Sequence, residues 1–180
     1  MTVTVLSAIF GGYDQPIAPL EQDIDVRWVM VTDGQVNPPA PWEHHLLASS
    51  PGRSARLSSR YPKCMAVTFS HEGDPVLWLD ACARIVSPSF VSSCLAALGD
   101  GDVAMWVHPH RSTIVDEAAV AGTMRKYEGQ PLAEQVAHYL ADGHDDRRLW
   151  ANTSMMWAPH VPAKVGAAWW KEQTLSLIHI

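Results

Sequence analysis

Apolar positions along the chain come in short runs separated by glycine, proline and acidic residues, and the period of the runs changes from one to the next. Residues 1–10, M-T-V-T-V-L-S-A-I-F, alternate Thr and Val and then turn apolar throughout, as a strand buried on both faces does. Residues 26–33 (V-R-W-V-M-V-T-D), 75–80 (P-V-L-W-L-D), 102–107 (D-V-A-M-W-V) and 149–157 (L-W-A-N-T-S-M-M-W) predict further strands, rich in β-branched and aromatic residues. Between them the period is helical. Residues 87–98 put Phe90, Val91, Cys94, Leu95 and Leu98 on one face, with Ser87 as the cap and Pro88 at the first helical position. Residues 53–65 read as a basic helix that Pro62 ends or bends. Helices are also predicted over 113–126, over 131–142, where Leu132, Val136, Tyr139 and Leu140 share a face, and over 162–170; residues 37–42, N-P-P-A-P-W, read as a loop.

Strands alternating with helices predict a single α/β domain with a mostly parallel sheet flanked by helices. In such sheets ligands sit beyond the carboxyl ends of the strands. The first strand empties into Gly11, Gly12, Tyr13 and Asp14, the second ends at Thr32 and Asp33, and the third at Asp80. If these strands are parallel, all three endings face one crevice. The glycine pair permits a left-handed turn or a close backbone approach to a ligand, and Tyr13 and Asp14 add a ring and an acceptor.

Composition narrows the classes. The chain has 180 residues and a net charge of -6, enough for one sizeable core, and it has no Lys/Arg cluster interleaved with aromatics, which sets nucleic acid aside as a partner. No apolar run approaches the roughly 20 residues that span a bilayer, and the start lacks the pattern of a signal peptide, so a cytoplasmic location without a transmembrane segment is expected. The cysteines, Cys64, Cys82 and Cys94, show no C-x-x-C spacing and predict buried free thiols.

Several chemistries compete for the crevice. Neither G-x-G-x-x-G nor G-x-x-x-x-G-K-[ST] occurs, so dinucleotide and P-loop cradles are unsupported. His108 and His110 in H-P-H, with the pair His44 and His45, could suggest a metal-dependent hydrolase, although nine histidines make such pairs common. A nucleotide-sugar site is the other reading, in which an acid closing an apolar strand holds a divalent cation against a diphosphate. L-W-L-D-A-C supplies the first acid of such a D-x-D pattern in Asp80, with Cys82 in the place of the second.

The blocks A-I-F-G-G-Y-D, V-T-D-G, R-Y-P-K, L-W-L-D-A, V-H-P-H-R-S-T-I-V-D-E-A, Q-V-A-H-Y and W-W-K-E occur in that order over residues 3–172. In this series the chain resembles a glycosyltransferase-like family long known only as a domain of unknown function, with plant mucilage-related, bacterial and viral members. The resemblance implies a GT-A type fold and transfer of a sugar from a nucleotide-diphosphate donor to an acceptor that is a glycan, a lipid or a protein. It implies that Ala8, Phe10, Gly11, Gly12, Tyr13, Asp14 and Asp33 hold the donor nucleotide, that Arg60 and Lys63 face its diphosphate, and that Asp80, His108, Arg111 and Glu117 are catalytic. Asp80 would also ligate a divalent cation, manganese or magnesium, which the absence of a second acid at Cys82 argues against. An ion pair that only braces its loop is the other reading of Arg111 and Glu117. Trp78, Trp106, Trp169 and Trp170 are read as core. A non-catalytic nucleotide-sugar-binding module, with the crevice kept and the second acid lost, is the alternative from another class.

The end of the chain departs from this pattern. The family has an R-D-Q motif after W-W-x-E, whereas this chain continues Q-T-L-S-L-I-H-I. The codons CTG-TCT-CTT-ATA-CAC-ATC, which resemble a transposase adapter of sequencing libraries, would encode its last residues. The expected organisation is therefore an incomplete glycosyltransferase-like domain over 1–174, truncated at its carboxyl end, and a foreign tail over 175–180.

Overall fold

The computed structural model describes residues 1–49, 53–71 and 73–175. The strands are β1 (Val3–Ile9), β2 (Val26–Thr32), β3 (Glu43–Leu46), β4 (Val76–Leu79), β5 (Val103–Val107) and β6 (Trp150–Trp157). The helices are α1 (Ala55–Ser58), α2 (Arg60–Cys64), α3 (Phe90–Leu98), α4 (Ile114–Gly122), α5 (Leu132–Ala141) and α6 (Ala163–Leu175), with 3-10 turns at Ala66–Phe69 and Arg125–Tyr127. The foreign-tail expectation falls, past Leu175, outside the described residues.

The strands form one mixed sheet in the order β3-β2-β1-β4-β6-β5. β1 runs parallel to β2 and to β4, β2 parallel to β3, and β6 is antiparallel to both β4 and β5. The expected mostly parallel sheet is present, and the three strand endings singled out by the sequence lie on one edge. Every residue of β1 is buried, which explains its near-continuous apolar reading. The core is built on Val5, Leu6, Val29, Val31, Leu77, Trp78, Met155 and Met156, and helices cover both faces. Lys63 of α2 lies over the Trp78 ring on one face. On the other, Cys94 of α3 shares a wall with Leu77 and Met156. α4 and α5 instead bury a separate small cluster of Ile114, Val136 and Leu149. Among the described residues no helix is long and apolar enough to cross a membrane.

Several elements depart from expectation. The helix over 53–65 is broken in two at Ser59, ahead of Pro62, whose missing N–H and ring forfeit the bond to the carbonyl of Ser58 and end the first segment there. α3 begins at Phe90 with Ser89 in the cap position, because the Ser87 carbonyl already closes a turn with the Phe90 N–H at 3.2 Å. α4 stops at Gly122, four residues short of its expected end, and α6 runs on to Leu175. β3 was not expected at all. α6 approaches α2 at Gly166, where a Cβ would lie 2.2 Å from the Cys64 carbonyl oxygen, and Trp170 meets Tyr61 edge-on at 5.4 Å. Trp78 is core, but Trp106 is 54% exposed, with its indole N–H on Ser154 Oγ at 2.9 Å, so the core reading fails for it. All three cysteines are free thiols, but only Cys64 and Cys94 are buried; Cys82 is exposed because it lies on the turn that follows β4.

Candidate functional site

β1 sits between β2 and β4, so the connections leave it in opposite directions and open a crevice beyond its carboxyl end. A cavity of about 380 Å³ occupies that crevice. Its floor is the end of β1 with Ala8, Ile9, Phe10 and Gly11; one wall is Trp78, Asp80, Ala81 and Cys82 from the end of β4; the roof is Ala55, Arg56, Ser59, Arg60 and Lys63 from α1 and α2; and Tyr13, Asp14 and Tyr127 complete it.

The loop after β1 is shaped by Gly11 and Gly12, both left-handed with φ of 67° and 62°. Gly11 is also tight: a Cβ there would stand 2.7 Å from the Ala55 Cβ, whereas one on Gly12 would only reach Gln35 Oε1 at 3.7 Å. Both glycines thus make the left-handed turn that the pair permits, and the tight approach at Gly11 is to Ala55. Asp33 is not in the lining but pins this loop from β2, its Oδ2 accepting the Gly11 N–H at 2.8 Å. Tyr13 stands out into solvent at 87% exposure.

The charged wall is built around one buried ammonium. Lys63 is 1% exposed, and its Nζ donates to Asp80 Oδ1 at 2.9 Å and to Asn152 Oδ1 at 3.2 Å. The same Asp80 oxygen accepts the Trp78 indole N–H at 2.7 Å. Burial pushes the Lys63 pKa down to about 8 against the opposing pull of Asp80, which leaves it mostly charged at neutral pH. Burial likewise lowers Arg60 to about 10, again opposed by Asp80, with Arg56 adding to the fall. Arg56 lies over the ring of Tyr127 at 4.6 Å.

These residues do not fit a divalent cation. One Asp80 oxygen already serves an ammonium and an indole N–H. The Cys82 thiol is pushed up by partial desolvation and by the charges of Asp80 and Asp14, so it stays protonated and is a poor partner for a hard cation. Among the described residues no group of three or more His, Cys, Asp and Glu side chains could hold a metal ion. One histidine of each pair in the hydrolase reading is engaged elsewhere, His44 Nε2 with Thr32 Oγ1 at 2.7 Å and His108 in the cluster described next.

His108, Arg111 and Glu117 do not line the cavity. They form their own cluster between β5 and α4, in which Arg111 Nε donates to Glu117 Oε2 and Arg111 Nη2 lies 3.0 Å from His108 Nε2. His108 Nδ1 accepts the backbone N–H groups of His110 and Arg111 at 3.2 and 3.0 Å. Burial, then Arg111, lowers the His108 pKa, and because Nδ1 is the acceptor the neutral ring carries its proton on Nε2. Arg111 and Glu117 thus form the ion pair that the sequence offered as their other reading.

Arg56, Ser59, Trp78, Tyr127 and Asn152 join the site without having been singled out for it. For Arg56 the signal was present: with Arg60 and Lys63 it stands at i, i+4, i+7, one helical face of cations. Tyr127 and Asn152 arrive from distant turns and strands that no local pattern connects to the crevice.

No protein-family model and no curated protein matches the chain. Among solved structures, the crystal structure of 2-C-methyl-D-erythritol 4-phosphate cytidylyltransferase from Thermus thermophilus is similar at a TM-score of 0.40 and 16% identity, over 95% of this chain and 100% of that chain. A likeness of that degree carries no inference about chemistry.

Proposed function

We propose that the crevice binds the nucleotide-diphosphate donor of a glycosyl transfer reaction, in a domain of the GT-A type. The observation that carries this reading is the cavity at the turning point of the sheet, roofed by Arg56, Arg60 and Lys63 and floored by the glycine turn after β1. A sugar leaves a diphosphate when the bond from its anomeric carbon to the phosphate oxygen breaks. The electron pair stays on the diphosphate, the acceptor hydroxyl oxygen bonds to the carbon, and its proton passes to a base. Fixed cations facing the leaving oxygen stabilise the charge that develops there. Arg60 and Lys63 have that role in this reading. Gly11 lets the backbone come close to the nucleotide, Asp33 holds the turn, and the exposed ring of Tyr13 offers the base a stacking surface. The series of family-like sequence blocks supports the same chemistry independently of the cavity.

A non-catalytic nucleotide-sugar-binding module is the second reading, favoured by the commitment of one Asp80 oxygen to Lys63 and Trp78 and by Cys82 beside it. A panel of uridine- and guanosine-diphosphate sugars, assayed for release of the nucleoside diphosphate with glycan, lipid and peptide acceptors, separates the two. Release from a particular donor is expected. Donor binding without release under any condition supports the module, and neither binding nor release removes both.

A further inference from the structure

Resting on the donor reading, we infer that the crevice handles a diphosphate without a divalent cation, because the Lys63 ammonium, seated 2.9 Å from Asp80, takes the cation's place and shares the phosphate charge with Arg60 and Arg56.

The sequence change and the geometry agree. Cys82 stands where a second acid would complete a cation site, and the remaining acid, Asp80, is paired with a side chain that is 1% exposed. A buried ammonium is tolerated only when its charge is balanced and its N–H groups are met. Asp80 Oδ1 and Asn152 Oδ1 take two of the three Nζ hydrogens. Lys63 also forms part of the cavity wall, with its Nζ over the Trp78 ring, so a ligand oxygen has to reach the ammonium through that wall. A divalent cation at the other Asp80 oxygen would set its charge beside this ammonium with only one carboxylate to balance both. The charge of the lining points the same way. Arg56, Arg60 and Lys63 line the cavity together with Asp14 and Asp80, and cations in its wall complement a diphosphate.

The test is calorimetry of uridine and guanosine diphosphate with the full chain, once in chelator and once in manganese. The expected result is the same dissociation constant in both buffers within about twofold, and a loss of about 10- to 100-fold for Lys63→Met in either, the range for removing a hydrogen bond to a charged group. Arg60→Ala, with folding checked by circular dichroism, gives a similar loss and keeps the test valid should Lys63→Met fail to fold. Tightening of tenfold or more by manganese that Asp80→Asn abolishes would overturn the inference while leaving the donor reading intact. No binding in either buffer would remove the donor reading and this inference together.

Discussion

The crevice around Lys63 and the turn around Arg111 are both clusters of opposite charge at the carboxyl edge of the sheet, and both carry residues that the sequence marks for catalysis. They differ in what completes them. In the turn, Arg111 meets Glu117 and His108, and His108 meets two backbone N–H groups, so the cluster closes on itself. In the crevice, Arg56, Arg60 and Lys63 line a cavity of about 380 Å³ with Asp14 and Asp80, so the charges border a space that a ligand can enter. A charge that finds its partners inside the protein braces a loop. A charge in the wall of a cavity can also meet a ligand there.

Substitutions can break that contrast. The largest effect is expected at Lys63. Lys63→Met should weaken nucleoside diphosphate binding by about 10- to 100-fold, read by calorimetry, and an unchanged affinity would place the ligand elsewhere. Next is Gly11→Val, which meets both a left-handed backbone and the Ala55 Cβ at 2.7 Å. It should cost about 2–3 kcal/mol in urea denaturation and also block the cavity floor. Gly12→Ala, strained by its φ alone, should cost about 1 kcal/mol.

The pH response comes next in size and has opposite signs in binding and in stability. Lys63 has a folded pKa near 8 against an ordinary value of 10.5; the charged groups facing it are Asp80 and Arg60, and the Cys64 thiol beside it is pushed up to about 12 by burial and stays neutral over this range. Between these values the unfolded chain binds the extra proton, so the cost of burying the ammonium is relieved as pH rises from about 8 toward 10.5. Relative to Lys63→Met, the wild type should gain stability over that window in denaturant titrations. Diphosphate affinity should fall over the same range, because the ammonium that binds it is lost. The smallest effect is at the turn. Glu117→Gln should cost about 1 kcal/mol of stability and leave nucleotide affinity unchanged; a tenfold loss of affinity would tie the turn to the site after all.

Burial explains which parts of this could be read from the sequence. β1, β2 and β4 announce themselves because their residues are buried on both faces, and their endings at Gly11, Asp33 and Asp80 could be placed on one edge from the parallel pattern alone. β3, with the sequence E-H-H-L, is an edge strand that is mostly exposed and pairs only with β2, so it has no apolar period to detect. The R-Y-P-K block pointed to Arg60 and Lys63, both of which line the cavity, but could not reveal that Lys63 would be buried against Asp80, a pairing across 17 positions. The third block marked His108, Arg111 and Glu117 as strongly as the crevice residues. Spacing along a chain does not distinguish a cluster that closes on itself from one that opens on a cavity.

The most direct measurement of the central claim is a crystal structure of the chain grown with uridine or guanosine diphosphate in chelator. The diphosphate is expected in the crevice between β1 and β4, with its oxygens within hydrogen-bond distance of Lys63 Nζ and the Arg60 guanidinium and the Lys63 to Asp80 contact intact. A nucleotide seated anywhere else, or one seated there with Lys63 swung away from Asp80, would contradict that claim.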